Sequence, residues 1–239
     1  GIPIRRETRM NWRLAQDPAY HQFADSRTFL GIANAGDTLS NLAILVAGLM
    51  GLAFIWREYA NGSSRRFVVR EEMRAYAVLF AAVAITGFGS AWYHLAPNDL
   101  RLVWDRLPMS FSFTALLAVT IAERIRLTVG LRILVPLLLL GGASVGWWHA
   151  TGNLLPYAAV QYGSIAMILA IVMKFRSRYT HGNYILGVLA IYAAAKAAEA
   201  FDSQIFAIVQ IASGHTLKHL LAAAAVLWLL RILQLRRPQ

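Results

Sequence analysis

Cysteine is absent from the 239 residues, so disulfide staples, thiolate zinc sites, iron–sulfur clusters and thiol nucleophiles are all excluded. Any metal must be held by His, Asp or Glu. Acidic residues are scarce too, 12 against 23 Lys and Arg, for a formal charge of +11. Charge of either sign is thin overall, at 15% of residues against 58% hydrophobic, and mean hydropathy is +0.50. That composition lies outside the soluble range and marks an integral, multi-pass membrane chain whose surroundings are the lipid bilayer. The surplus basic residues stand in short clusters between apolar runs, where they read as topology determinants, so nucleic acid is not expected as a partner. No obligate protein partner is inferred. Nothing before Thr38 has an apolar core long enough for a secretory leader.

Four stretches lack Asp, Glu, Lys and Arg and are long enough to cross a hydrocarbon core of about 30 Å. They are Thr38 to Trp56, Ala75 to Asn98, Ile133 to Leu155 and Leu154 to Met173, the last two split by Thr151-Gly152-Asn153 ahead of Pro156. Three more are apolar but interrupted: Val103 to Ala122 by Asp105 and Arg106, Tyr184 to Phe206 by Lys196, Glu199 and Asp202, and Gly214 to Leu230 by Lys218. The expected fold is an all-α seven-transmembrane-helix bundle in one domain over 37–232. An extramembrane segment, 1–36, precedes it, with Trp12 to Phe29 as a surface or interfacial stretch; a short basic tail, 233–239, follows.

Basic residues alternate sharply between the connections. Arg57, Arg65, Arg66, Arg70 and Arg74 follow span one, Arg124, Arg126 and Arg132 follow span three, Lys174, Arg176 and Arg178 follow span five, and Arg231, Arg236 and Arg237 close the chain. The opposite set holds only Arg101. The positive-inside rule then puts the N-terminus outside and the C-terminus in the cytoplasm, although Arg5, Arg6, Arg9, Arg13 and Arg27 pull the other way.

Ionisable groups within spans are expensive and face a bundle interior or a cavity, so their depth is informative. With that topology, Asn34, Asp37, Ser40, Asn41, Ser90, His94, Asp105, His149, Lys196, Glu199, Asp202, His215 and His219 all fall in the outer layer. His215 and His219 are i and i+4 on one helix face, a spacing as compatible with packing as with a shared ion. His94 offers a third imidazole at matching depth, and three imidazoles with one open position suit catalytic zinc. Ser90 shares the face of His94, and Asp105 follows after the turn Ala96-Pro97-Asn98-Asp99. Asp105 there could take a proton from water and Ser90 could donate to a developing oxyanion. The blander readings are packing for Ser90, in Gly87-Phe88-Gly89-Ser90, and an ion pair of Asp105 with Arg106 or Arg101. Trp147-Trp148-His149 reads as part of an interfacial aromatic belt, and Lys196 and Glu199 as a mutually neutralising pair.

Ser90-Ala91-Trp92-Tyr93-His94, Asp105-Arg106-Leu107-Pro108-Met109, the His215/His219 pair and Asp37-Thr38-Leu39-Ser40-Asn41 together resemble the alkaline ceramidases. That family belongs to a superfamily of seven-helix membrane hydrolases that also contains the progestin and adipoQ receptors. The resemblance implies zinc on His94, His215 and His219, with Asp105 and Ser90 as catalytic residues beside it. The implied reaction is hydrolysis of the amide of a ceramide-like membrane lipid to a sphingoid base and a fatty acid. The acidic calcium-binding segment of the eukaryotic members is replaced by Tyr20-His21-Gln22-Phe23-Ala24-Asp25, with Asn34 at another acidic position, so calcium is not expected. Asp17, Asp25 and Asp37 would be its remaining oxygen donors. The expected location is a bacterial inner membrane with the site toward the extracytoplasmic side. Two other functions fit the same residues: a lipid acyl-ester hydrolase, and a receptor-like zinc protein with little turnover.

Overall fold

A computed structural model describes residues 13–62 and 65–239. Arg5, Arg6 and Arg9, which entered the charge count, lie outside the described residues. Among the described residues the chain is helical, without β-strands: α1 (Ala35–Ala60), α2 (Arg70–Leu95), α3 (Asp99–Arg124), α4 (Leu127–Thr151), α5 (Leu155–Lys174), α6 (Ile185–Ala200), α7 (Asp202–Val209) and α8 (Gly214–Leu235). Six of these are long and apolar enough to cross a membrane, and the bent pair α6 and α7 makes a seventh if it counts as one span.

The helix ends follow from local chemistry. Asn98 caps α3 by accepting from Arg101 N at 2.9 Å, and Ser213 caps α8 by accepting from Thr216 N at 3.0 Å. Gly152, at φ 68°, ends α4 in the left-handed conformation that a residue with a Cβ resists, and Pro156 then sits in the first turn of α5. Packing needs small residues at two points on α2. A Cβ on Gly87 would come within 2.5 Å of Leu45 N on α1, and one on Gly89 would collide with the Trp104 carbonyl on α3. Those two close approaches bring Ser90 and His94 against α1 and α3.

Helices α1, α2, α3 and α4 pack in sequence, α8 closes against α1 and α6, and α3 also packs on α5. Helices α5 and α6 touch little. Large apolar side chains on the outside, among them Phe88, Leu139 and Met173, suit a lipid surround rather than water. At one end Arg236 is fully buried, pairs with Glu123 and lies 4.0 Å above the Tyr179 ring. The segment expected as a tail is accordingly docked: Arg237 N donates to Thr180 Oγ1 at 2.9 Å and Gln239 N to the Arg178 carbonyl at 2.8 Å.

The sixth span differs from expectation. The run Tyr184 to Phe206 is not one straight helix; it bends by 79° between α6 and α7. At the bend Phe201 leaves the helical conformation, and the Asp202 carboxylate beside it accepts from His215 N at 2.7 Å and from Ala24 N at 3.0 Å, tying this point to the start of α8 and to the N-terminal segment.

Candidate metal centre

His94 comes from the last turn of α2 and His215 and His219 from the first turns of α8. All three are buried, and one ring nitrogen from each lies within 4.8 Å of the others. Ring centroids are 4.9 Å apart for His94 and His215, 5.0 Å for His94 and His219 and 4.9 Å for His215 and His219. This is the one group of three or more His, Asp or Glu donors that could hold a metal among the described residues.

The hydrogen bonding fits a metal at two of the three corners. His94 Nδ1 and His219 Nε2 are buried without any partner, an unfavourable state for a ring nitrogen unless an ion takes its lone pair. Ser40 Oγ donates to the Asp37 carbonyl at 3.1 Å and meets His219 Nδ1 at 2.8 Å. Asn41 Nδ2 also lies 3.3 Å from that Nδ1; in the tautomer whose Nδ1–H is donated to Ser40, the Nε2 lone pair is left for an ion. At the third corner His215 Nε2 receives Lys218 Nζ at 3.0 Å. A neutral imidazole has one lone pair, so for His215 to ligate an ion the Lys218 contact must give way. Glu199, 2.9 Å from Lys218 Nζ, keeps the ammonium paired when it does.

Ser90 and Asp105 are brought together as expected, with the Ser90 hydroxyl beside the Asp105 carboxyl and both buried. They line one cavity of about 270 Å³ with His219. Asp105 makes no ion pair among the described residues. Arg101 instead stacks 3.9 Å over the Trp92 ring. Below these polar groups the cavity wall turns apolar, through Ile44, Leu79, Phe80, Val83 and Ile168.

A strap formed by residues 13–34 covers this end of the bundle, where the sequence suggested only a surface stretch. Leu154 N donates to the Leu14 carbonyl at 2.7 Å, His21 reaches Tyr93 Oη at 2.9 Å and Asp99 at 3.1 Å, and Asn34 Nδ2 donates to the His94 carbonyl at 2.8 Å. The Phe23 ring lies 4.6 Å from that of His94 and 4.8 Å from that of His215, roofing the cluster. Arg27 pins the strap to the approach to α8, donating to the Gln210 carbonyl at 2.9 Å and the Ile211 carbonyl at 3.2 Å. It is also bonded twice to Asp25, at 2.7 Å each, and those hydrogen bonds hold the Asp25 carboxyl below the usual aspartate range. Asp17 accepts from Ala19 N, while Asp37 accepts from Ser213 and Thr216 on the other side of Gly36 from Asp25.

Lys196 and Glu199 do pair, with Lys218 joining them. His149 and Trp147 are exposed, in keeping with a belt, but Trp148 is buried 4.2 Å beneath the guanidinium of Arg106. Asp202 was placed in the right layer by its depth, but its contacts with Ala24 and His215 were not legible, nor were the positions of Phe23 and Lys218 beside the imidazoles, since each depends on contacts between distant segments.

Three buried imidazoles, one of which shares a cavity with a serine and an aspartate, within a bundle of apolar helices, form a membrane site of the kind that could hold a metal ion. Residues 28–234 match the Ceramidase family, and the chain belongs to it. Membership implies a ceramide-hydrolysing membrane enzyme, an amide hydrolase by chemistry. No curated protein matches the chain.

Proposed function

We propose that the protein is a zinc-dependent intramembrane amidase that hydrolyses ceramide-like lipids to a sphingoid base and a fatty acid. The observation that carries this reading is a cluster of three imidazoles with two unpartnered ring nitrogens, on His94 and His219, of which His219 shares one largely apolar cavity with Ser90 and Asp105. His94, His215 and His219 would hold the zinc. Zinc supplies polarisation of the amide carbonyl and brings the pKa of water toward about 7.

The side chains do the rest. Asp105 accepts a proton from the attacking water as its oxygen adds to the amide carbon, and returns that proton to the nitrogen as the carbon–nitrogen bond breaks. Ser90 donates a hydrogen bond to the carbonyl oxygen as negative charge develops there. The acyl chain descends along Leu79, Phe80, Val83 and Ile168. The slack seam between α5 and α6, both of which line the cavity, gives a lipid a sideways way in. Phe23 and the strap limit water over the imidazoles. The charge pattern of the connections supports a site on the extracytoplasmic side of the membrane.

The test is turnover of a labelled ceramide by pure protein. Release of the labelled base, abolished by chelation and restored by zinc alone, is the expected result. Binding without release would sink the proposal in favour of a receptor-like protein, and preferential cleavage of an acyl ester would replace the amidase with an esterase.

A further inference from the structure

At the end of the bundle away from the imidazoles, α1 and α2 form a groove of about 500 Å³ that shares no residue with the cavity of Ser90, Asp105 and His219. Its place follows from the seam between the two helices. A Cβ on Gly48 would come within 2.5 Å of Ala84 N, and one on Gly51 would collide with the Phe80 ring, so the helices touch closely there. Past Gly51 neither helix has another glycine on the way to their connection, and the groove opens between Leu52 and Trp56 of α1 and Met73 and Ala77 of α2. It faces outward, since Trp56 is 72% exposed. From Leu52 to Tyr59 it follows α1 for about 10 Å, enough for part of one acyl chain.

The head of this apolar groove is basic. Arg57 and Arg74, one from each helix, line it beside Tyr59. Both are exposed, and neither guanidinium is ion-paired or hydrogen-bonded among the described residues. Two neighbouring arginines are engaged elsewhere: Arg66 binds Glu58 at 2.7 Å and the Gln234 carbonyl at 2.8 Å, and Arg70 donates to the Gly62 carbonyl at 2.9 Å while lying 5.4 Å from the Tyr59 ring. No carboxylate lines the groove. Glu58 is taken by Arg66, Glu72 accepts from Tyr179 and Val68, and Glu71 forms no ion pair among the described residues. The charge rule for connecting loops accounts for arginines at this end, but it does not require one from each helix to converge on a single apolar groove.

We propose that this groove binds one anionic phospholipid of the surrounding bilayer, with the phosphate between Arg57 and Arg74 and part of one acyl chain along Leu52 and Met73. Guanidinium groups take phosphate oxygens in paired hydrogen bonds, and basic side chains at the ends of spans lie at head-group depth. The apolar floor running on from the charged head selects a lipid over a free anion. A choline or ethanolamine head group brings an ammonium that offsets its phosphate, whereas a glycerol head group leaves the negative charge uncompensated. This lipid is a bound partner and not a substrate, because Ser90, Asp105 and the imidazoles belong to the opposite end of the bundle.

The test gives full-length protein in nonionic detergent equal amounts of phosphatidylglycerol and phosphatidylcholine with the same acyl chains, and counts the lipid retained per chain by native mass spectrometry. Phosphatidylglycerol is expected to be retained one per chain and favoured by about tenfold to thirtyfold, the effect of two basic side chains at a head group. Arg57→Gln combined with Arg74→Gln should bring that preference to near one, each single variant should lose about threefold to fivefold of it, and the paired Lys variants should keep most of it. Thermal unfolding of the lipid-free variants should match wild type, since both side chains are exposed. Equal retention of the two lipids by wild type, or an unchanged preference in the paired Gln variant, overturns the proposal. Displacement of phosphatidylglycerol by glycerol phosphate at a comparable concentration would also overturn it, by reducing the groove to an anion site. The count involves no turnover, so it stands or falls apart from the amidase reading.

Discussion

Ser40 Oγ lies 2.8 Å from Nδ1 of His219, a bond between helix α1 and helix α8 across 179 positions of chain. It holds the Nδ1 side of the His219 ring against α1, and Nε2 is the nitrogen left without a partner. Groups that orient a metal-binding imidazole in this way are worth about 10- to 100-fold in metal affinity. Ser40→Ala should therefore weaken zinc binding by that factor while leaving the helices folded, measured by competition against a chelator of known affinity. His219→Ala or His215→Ala should abolish the stoichiometric ion, of about one zinc per chain in the wild type. Full zinc content in either histidine variant would remove the metal assignment, and unaltered affinity in Ser40→Ala would remove the orienting role.

Asp105 and Ser90 should separate chemistry from metal binding. Asp105→Asn keeps the shape of the side chain but cannot take a proton, so zinc content should persist while turnover of ceramide falls by about 10²- to 10⁴-fold. Ser90→Ala removes a donor to the carbonyl oxygen, with an expected loss of about 10²- to 10³-fold. Steady-state kinetics on the zinc-loaded variants decides it. Near-normal turnover in Asp105→Asn would make the aspartate structural.

The spans and the three imidazoles were legible in the sequence because both depend on local regularities. An apolar run of the right length must become a helix in lipid, and an i, i+4 pair must share a face. Depth along the helices then joined His94 to His215 and His219 before any packing was known. The bend at Phe201 was not legible, since the contacts made there, from Asp202 to a backbone amide on the strap and another on α8, join distant segments. The same holds for Phe23, which reads as one aromatic in a polar segment until the strap folds across His94 and His215. Trp148 was misplaced for a related reason. Its position near a span end suggests a belt, but a buried cation on α3 claims its face.

The strap makes its own prediction about pH. Asp25 is 2% exposed and its carboxyl titrates below the ordinary aspartate value of about 3.9 because Arg27 is bonded to it. A carboxyl depressed in the folded state contributes stability that is present above its unfolded pKa and lost as pH falls through the lower, folded one. The strap should thus remain closed from pH 7 down to pH 5 and loosen only below about pH 4. Arg27→Gln should leave it looser throughout, by a modest margin since the guanidinium is partly exposed. Hydrogen exchange of residues 20–30, corrected for intrinsic rates, reports it. Release of the strap between pH 7 and pH 5 would show that another group controls it.

The remaining prediction is the side of the membrane that the site faces. His94, His215, Ser90 and Asp105 all lie at the end of the bundle that carries the connection from α2 to α3, whereas Arg57, Arg65, Arg66, Arg70 and Arg74 gather at the other end, around the connection from α1 to α2. Short loops rich in arginine stay in the cytoplasm, which would set the imidazoles toward the outside and let a lipid of the outer leaflet reach them with its amide near head-group depth. The chain has no cysteine of its own, so single cysteines report without background. Ala96 and Asn61 are exposed at opposite ends of the bundle. In intact cells, Ala96→Cys should react with a membrane-impermeant maleimide, and Asn61→Cys should react only after the membrane is opened. The reverse pattern would put the site in the cytoplasm and give the deciding weight to Arg5, Arg6, Arg9, Arg13 and Arg27 ahead of α1. Because the argument uses loop charge and helix ends alone, its failure would leave the metal site and its chemistry standing.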